Sequence, residues 1–230
     1  MYLTRLQPDP AHGQARRDLS NPYDMHRTLV RAFVRGEGDR PVRFLWRLQV
    51  SSAWSKPELL VQSAHAGKWA ALESVSGYLL QPAEQKQIVL HSWLKVGDLY
   101  RFRLRTNPNV CRGGKRFGLI GEEVQTTWLE QRGEQHGFRV ESALVTGSEV
   151  LTAFKARKPV TLRAVTFDGY LECTDTASLE QALLAGVGRG KAFGLGLLSL
   201  ARAGGGDAAT AETSAHERSG VHDFHPVWAD

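Results

Sequence analysis

The chain has 230 residues, 42% of them hydrophobic and 23% charged, which is the composition of a globular protein with a core of its own. Residues 1–200 hold 27 Lys and Arg against 19 Asp and Glu, whereas residues 201–230 hold two against five. A basic body of this kind favours a polyanionic partner such as nucleic acid. The sequence contains no apolar run of about 18 residues and no signal-peptide core near its start, so we expect a cytoplasmic protein with no membrane partner.

The cysteines and C-terminal histidines give little support to a metal centre. Cys111 and Cys173 lie far apart and form no CxxC pair, so the sequence encodes neither a disulfide framework nor a cysteine zinc site. His222 and His225 form a two-histidine pair near the C-terminus, which is more often incidental than metal-binding. We expect neither a metal nor a cofactor.

The first half of the chain predicts strand, helix, strand, strand, helix, strand, from its switching between period-2 and period-3.6 hydrophobic patterns. In that order the predicted elements are residues 1–7, 21–35, 42–50, 58–64, 68–75 and 99–107. This is the βαββαβ order of a ferredoxin-like unit.

The second half repeats the order approximately. Its predicted strands are 116–121, 138–145, 149–156, 160–173 and 194–201, and its predicted helices are 122–137 and 175–188. We therefore predict an α+β protein of two tandem ferredoxin-like (βαββαβ) domains with a glycine-rich loop near the C-terminus. The expected domains are residues 1–110 and 115–201. Residues 202–230 are rich in Gly, Ala, Ser and Thr, and we expect them to form a disordered tail.

The predicted helix over residues 21–35 has a clear start and carries unusual side chains. Asn21 can cap the helix, and Pro22 fits its first position. A buried stripe is expected from residues at helical spacing, namely Met25, Leu29, Ala32 and Phe33. A different face carries Tyr23, His26 and Arg27. A Tyr and a His near a helix start are usually surface residues, and catalysis is the alternative.

The glycine-rich loop carries Gly186, Gly188, Gly190, Gly194 and Gly196. It fails as a nucleotide-binding P-loop, because Ala replaces both the first glycine and the Ser or Thr of that motif, and it fails as a dinucleotide fingerprint because it follows a helix. Glycines allow close approach of a ligand, and Arg189 and Lys191 could contact phosphate. A helix C-cap followed by a tight turn is the simpler interpretation.

Three separated motifs, residues 16–33, 101–108 and 190–201, resemble the CasE family of CRISPR-associated endoribonucleases. The resemblance runs from Met1 to about Ala201. It implies metal-independent cleavage of a CRISPR repeat hairpin at the 3′ base of its stem, leaving a 2′,3′-cyclic phosphate and a 5′-hydroxyl. It also implies that the protein stays bound to the mature crRNA and joins the other subunits of the type I-E Cascade complex.

That chemistry selects His26 and Tyr23 as the candidate catalytic residues. Histidine is the side chain best suited to proton transfer near neutral pH, whereas a phenol is a poor base there but a good hydrogen-bond donor. The positive end of the helix would hold the scissile phosphate. The positive end of the helix disfavours the imidazolium, whereas a bound phosphate favours it. The direction of the His26 pKa shift therefore stays open. Whether His26 acts as acid, base or both also stays open.

RNA contacts are expected from basic residues beside the predicted catalytic helix, on one face of the strand 99–107, in the hairpin turn 155–159 and in the glycine-rich loop. They are Arg16, Arg17, Arg27, Arg31, Arg103, Arg105, Lys115, Lys155, Arg157, Lys158, Arg189 and Lys191. The resemblance implies that the basic hairpin recognises the RNA stem, although charged turns are usually just solvated. Two alternatives remain: a non-catalytic RNA-binding subunit on the same fold, and a metabolic enzyme whose arginines bind small anions.

Overall fold

The structure is a computed structural model that describes residues 1–34, 36, 38, 40–49 and 56–203. The predicted tail falls outside the described residues from residue 204 onward, and its first residue, Arg202, is the last residue of a strand.

The first half of the chain folds into a four-stranded antiparallel sheet with helices on one side. Its strands are β1 (Tyr2–Leu6), β2 (Phe44–Gln49), β3 (Glu58–Ser63) and β4 (Glu84–Gln87), in the spatial order β2-β3-β1-β4. Its helices are α1 (Gly13–Ser20), α2 (Pro22–Val30), a 3-10 turn (Arg31–Phe33) and the single-turn α3 (Ala70–Glu73). This arrangement is ferredoxin-like, as predicted.

The second half repeats the arrangement with longer strands. Its elements are α4 (Leu90–Trp93), β5 (Leu99–Thr106), β6 (Asn109–Arg112), β7 (Lys115–Gly118), α5 (Glu122–Gln135), β8 (Phe138–Lys155), β9 (Lys158–Cys173), α6 (Thr176–Ala185), a 3-10 turn (Lys191–Phe193) and β10 (Leu197–Arg202). The sheet order is β10-β5-β9-β8, all antiparallel, and β6 with β7 forms a separate hairpin.

The assignment of residues 99–107 to the first unit is wrong. β5 pairs with β10 and β9, and its inward side chains Phe102 and Leu104 are fully buried in the second core. The fourth strand of the first sheet is β4, whose sequence EQKQ has no hydrophobic alternation to reveal it. The predicted division near residues 108–115 therefore falls inside the second unit, just after its first strand.

The helix predicted over residues 21–35 is shorter and follows a second helix. Asn21 has an extended backbone (φ −132°, ψ 106°) that breaks the chain between α1 and α2, and its Oδ1 accepts from the N–H of Tyr23 at 3.4 Å. Pro22 occupies the first position of α2, as predicted. The predicted stripe is also confirmed, since its four members are all buried. Helix α1 was missed because its sequence, GQARRDLS, is almost entirely polar.

The two strands predicted at 138–145 and 149–156 form one 18-residue strand, β8. Its register with β9 shifts between Val140 and Ser142 and again between Val145 and Gly147, so the strand bends without ending. The β8–β9 hairpin closes through Ala156 and Arg157, both at positive φ (48° and 64°), which is the geometry of a type I′ turn. We call this turn with its flanking lysines, residues 155–158, the basic hairpin.

Arg47 on β2 fixes the first sheet against the second. It is buried, and its Nη1 donates to the carbonyl of Leu197 at 3.4 Å while its Nη2 donates to Ser199 Oγ at 3.0 Å. Burial, together with the nearby Arg103 guanidinium, lowers the pKa of Arg47 to about 9. Because β2 also carries side chains that contact α2 and the glycine-rich loop, this bond network sets their relative position.

Candidate active site and RNA interface

The start of α2 lies between the basic hairpin and the glycine-rich loop. The Tyr23 ring is 6.1 Å from the ring of Phe193, in the 3-10 turn of the loop, measured between centroids. On the other side, Lys155 Nζ lies 5.6 Å from the Tyr23 ring centroid, within cation–π range. Three segments that are widely separated in the sequence therefore meet at one side chain.

His26, one turn further along α2, is half-buried against an aromatic stack. Its imidazole is stacked on Phe44 of β2 at 5.1 Å between centroids and 24° between planes. Phe44 is stacked in turn on Phe33 at 4.4 Å, and Phe33 meets Trp69 edge-on. His26 Nδ1 is shielded from solvent and has no hydrogen-bond partner.

In the protein without RNA, this surrounding favours the neutral form of the imidazole. Burial lowers the pKa of His26 below its ordinary value of 6.5. The neutral imidazole therefore predominates at pH 7 in the free protein. With Nδ1 sealed against the aromatic stack, Nε2 is the nitrogen through which the ring can exchange a proton with a ligand.

Substitution of Phe44 by leucine should raise the pKa of His26 toward 6.5, because the smaller side chain leaves the imidazole more hydrated. An NMR pH titration of the His26 ring would measure the shift. Phe33→Leu is the matched control, since it removes a buried ring that contacts Phe44. An equal pKa in Phe44→Leu and the unsubstituted protein would show that the stack does not set it.

The glycine-rich loop needs glycine where it approaches β2. Gly190 and Gly194 have φ of +88° and +75° and flank the 3-10 turn that carries Phe193. A Cβ at Gly194 would lie 3.0 Å from the Trp46 ring. Gly186 follows α6 as its C-cap, so the C-cap and tight-turn interpretation is correct for that residue. Together these turns hold Phe193 against Tyr23.

Three cations, Arg43, Arg189 and Lys191, lie near one another at this loop. The sequence patterns did not single out Arg43. Burial lowers the pKa of Lys191, and the neighbouring charges of Arg43 and Arg189 lower it further. Arg43 is exposed and immediately precedes Phe44, so it lies next to the His26 stack. Its only sequence signal was its position at the start of a predicted strand. Repulsion between neighbouring like charges is relieved by a bound anion, which makes this cluster a candidate phosphate contact.

The predicted arginines of β5 are engaged with carboxylates. Arg103 donates to both carboxylate oxygens of Asp168, at 2.6 and 3.1 Å, and Arg105 forms an ion pair with Glu149. The predicted alternation is confirmed, since the residues between them are buried. An RNA phosphate would have to compete with these carboxylates, so the two arginines are weaker candidates than the sequence implied.

The predicted arginines of the helical segments, Arg16, Arg17, Arg27 and Arg31, are all exposed, but their partners differ. Arg27 has a long contact of 3.8 Å to Asp24. Arg17 instead binds the buried carboxylate of Asp18, which raises the pKa of the arginine. Arg31 donates to a backbone carbonyl of α3 at 3.0 Å.

The remaining predicted contacts lie on two hairpins. Lys155, Arg157 and Lys158 are exposed on the basic hairpin, whose Lys155 reaches Tyr23. Lys115 lies on the separate β6–β7 hairpin, which packs over β9 where Gly118 approaches Arg163. The basic hairpin therefore contacts the start of α2 through Lys155 and Tyr23, whereas Lys115 lies on a different hairpin.

The described residues show no candidate metal cluster and no candidate membrane-spanning helix. Across residues 1–34, 36, 38, 40–49 and 56–203, no three or more His, Cys, Asp or Glu residues are grouped so that they could hold a metal. Within the same part of the chain, no helix has the length and apolar character needed to cross a membrane.

Comparison with known proteins connects this geometry to one family. Residues 1–202 match the family model described as CRISPR associated protein. The CRISPR-associated endoribonuclease Cse3 of Thermus thermophilus is 37% identical over 215 residues, which cover 87% of this chain and 100% of the relative. The CRISPR system Cascade subunit CasE of Escherichia coli is 29% identical over 214 residues, covering 87% of this chain and 99% of that protein.

A solved structure of Thermus thermophilus Cse3, bound to an RNA representing a pre-cleavage complex, superposes with a TM-score of 0.77 at 37% identity. The match covers 87% of this chain and 98% of that one. The residues that match the family model, 1–202, include both sheets, α2, the basic hairpin and the glycine-rich loop. The chain belongs to the CRISPR-associated Cse3/CasE family.

Proposed function

We propose that this protein cleaves CRISPR repeat hairpins in precursor RNA without a metal ion, and then stays bound to the mature crRNA as a subunit of Cascade. The endoribonuclease class is that of the relatives in its family. The observation that carries the mechanism is His26, whose pKa is lowered by burial on a helix that begins between two basic segments. A cytoplasmic location is part of the proposal. The alternative of a metabolic enzyme that binds small anions does not fit the family.

The reaction needs two proton transfers and stabilisation of charge on one phosphate. The neutral Nε2 of His26 accepts the proton of the 2′-hydroxyl, and the 2′-oxygen then attacks the adjacent phosphorus. The bond between phosphorus and the 5′-oxygen breaks, and that oxygen takes up a proton, so the products are a 2′,3′-cyclic phosphate and a 5′-hydroxyl. The protonated His26 formed in the first transfer is a suitable donor for the second.

Tyr23 and the cations supply positioning and charge. Tyr23 is held between Phe193 and Lys155, which fixes its ring at the start of α2, where the first backbone N–H groups favour an anion. Its hydroxyl is a donor for a phosphate oxygen. Lys191 lies in the 3-10 turn that contacts α2, and Arg43 directly precedes Phe44, which stacks on His26. Both would neutralise the charge that develops during the attack.

Incubation of the purified protein with a repeat-hairpin RNA in excess EDTA tests the proposal. We expect one cut at the base of the stem, with a 5′-hydroxyl on one product and a cyclic phosphate on the other. A 2′-deoxy nucleotide at the cut position should abolish cleavage, because the nucleophile is removed. Binding without cleavage, both in EDTA and with magnesium, would favour the non-catalytic RNA-binding subunit instead.

Neutralising the charges of the basic hairpin should weaken the electrostatic, salt-dependent component of RNA binding. If Lys155, Arg157 and Lys158 each contact a phosphate, changing all three to alanine should lower the slope of log K against log salt concentration by about 2–3. Binding measured between 50 and 200 mM salt would give the slope. Changing three exposed lysines in connecting segments elsewhere in the chain, Lys56, Lys68 and Lys95, is the charge-matched control. Equal slopes in both triple variants would contradict a specific role for the hairpin.

A further inference from the structure

The side-chain amide of Asn21 bonds to two elements at once. Within α2, its Oδ1 accepts from the N–H of Tyr23 at 3.4 Å and its Nδ2 donates to Asp24 Oδ2 at 2.8 Å. Across to β8, its Nδ2 donates to the carbonyl of Phe154 at 3.1 Å, and its Oδ1 accepts from the N–H of Phe154 at 3.2 Å. One amide therefore caps the helix and pairs with the strand.

The pairing with Phe154 imitates a neighbouring β-strand. β8 is an edge strand, and in an antiparallel pair the N–H and C=O of one residue point to the same side. Both groups of Phe154 point away from β9, where its opposite residue is Pro159, and Asn21 satisfies both. Phe154 is 53% exposed as a residue, so burial of its ring contributes little to holding the strand here.

This bond pair lies at the junction between the two halves of the proposed site. Phe154 directly precedes Lys155 of the basic hairpin, and Tyr23 lies two residues beyond Asn21. The position of the hairpin relative to α2 therefore determines the contact between Lys155 and the Tyr23 ring. The hairpin itself is the far end of an 18-residue edge strand, which has no partner strand on this side among the described residues.

We propose that Asn21 is a positioning residue that couples RNA bound on the basic hairpin to the catalytic groups of α2. The proposal rests on the proposed function for the identity of those groups. When the amide is in place, a stem held by Lys155 and its neighbours presents its base to Tyr23 and His26. Without it, the hairpin still binds RNA but no longer holds a fixed distance from α2.

Asn21→Ser and Asn21→Asp separate this role from helix capping. Ser and Asp are both good N-cap residues, so each retains the cap of α2. Ser is too short to make the two bonds to Phe154, and Asp cannot donate to its carbonyl. We expect both variants to cleave about tenfold more slowly in single turnover at saturating protein. Because Ser adds no charge, its RNA affinity should stay within about twofold of the unsubstituted protein.

Two readouts do not depend on cleavage. Hydrogen exchange at the Phe154 N–H should accelerate in Asn21→Ser, and the shift of the His26 ring resonance on adding a repeat RNA with a 2′-deoxy cut site should shrink. Asp175→Ser, an equivalent change at the N-cap of α6, is the matched control and should alter neither. Failure of the unsubstituted protein to cut RNA would count against the proposed function, while these two readouts would still test the coupling.

Either of two results would overturn the coupling. The first is a wild-type cleavage rate in Asn21→Ser, which would mean that the helix cap is all that this residue supplies. The second is faster exchange at Phe154 with an unchanged His26 response to RNA, which would mean that the bonds hold the strand but do not align the site.

Discussion

Replacement of His26 by alanine should slow cleavage of the repeat hairpin by about 10²–10⁴-fold, which is the usual contribution of general acid–base catalysis. RNA affinity should change little, because the hairpin and loop cations remain. His26→Gln tests the same point with a side chain that keeps bulk and hydrogen bonding but cannot transfer a proton near neutral pH. Single-turnover cleavage and filter binding measure the two quantities.

The control for this experiment is His91→Ala, at an exposed position on α4, which should cleave at the normal rate. Full-rate cleavage by His26→Gln would contradict the mechanism, whatever its effect on stability. A loss of cleavage that merely followed a loss of binding would instead make His26 a binding residue.

The pH dependence of single-turnover cleavage shows whether the neutral or the protonated form of His26 is active. Burial lowers the pKa of His26, so its neutral form grows in as pH rises through a midpoint below 6.5. If the neutral form is the active base, single-turnover cleavage rises with pH through that midpoint and then levels off. Charged groups on the surrounding elements include Asp24, Arg27, Arg43, Lys155, Arg157, Lys158, Arg189 and Lys191, and bound RNA phosphate opposes their net positive field. A rate that falls through the same midpoint would identify His26 as the acid.

Local rules in the sequence were enough to predict the start of α2. Asn21 as cap, Pro22 at the first position and the buried stripe of α2 depend only on neighbours within two turns. The alternation in β5 could also be predicted from the sequence, but the sheet that this strand joins could not. Which sheet a strand joins depends on pairing partners: β5 lies between β9 and β10, both more than 50 residues later in the chain.

The same local rules could not predict which groups the candidate residues contact. The stacking of His26 on Phe44 spans 18 positions and depends on where β2 lies against α2. Arg103 and Arg105 looked available for RNA because their carboxylate partners, Asp168 and Glu149, come from other strands. Periodicity identifies the face on which a side chain lies, but not the group that it meets there.

Removal of Asp18 should have the largest effect on stability. Its buried carboxylate joins α1 to α2 and to the turn after α3, since it accepts from Thr28 Oγ1 at 2.7 Å and from the Tyr78 hydroxyl at 3.0 Å. Arg17 binds its other oxygen from the surface. Asp18→Ala removes the carboxylate to which both buried hydroxyls donate and leaves the Tyr78 hydroxyl with a 3.8 Å contact to Met25 Sδ, which costs about 2–4 kcal/mol. The melting temperature should fall by roughly 5–15 °C.

Urea unfolding of single and double variants would test whether the carboxylate works through these partners. Thr28→Val and Tyr78→Phe each remove one hydroxyl and should cost less than Asp18→Ala, since each leaves the carboxylate its other donors. Combined with Asp18→Ala, each should add little further loss, because the bond that it removes is already broken. Additive losses in both cycles, or a cost below about 1 kcal/mol for Asp18→Ala, would mean that apolar packing alone holds α1 against α2.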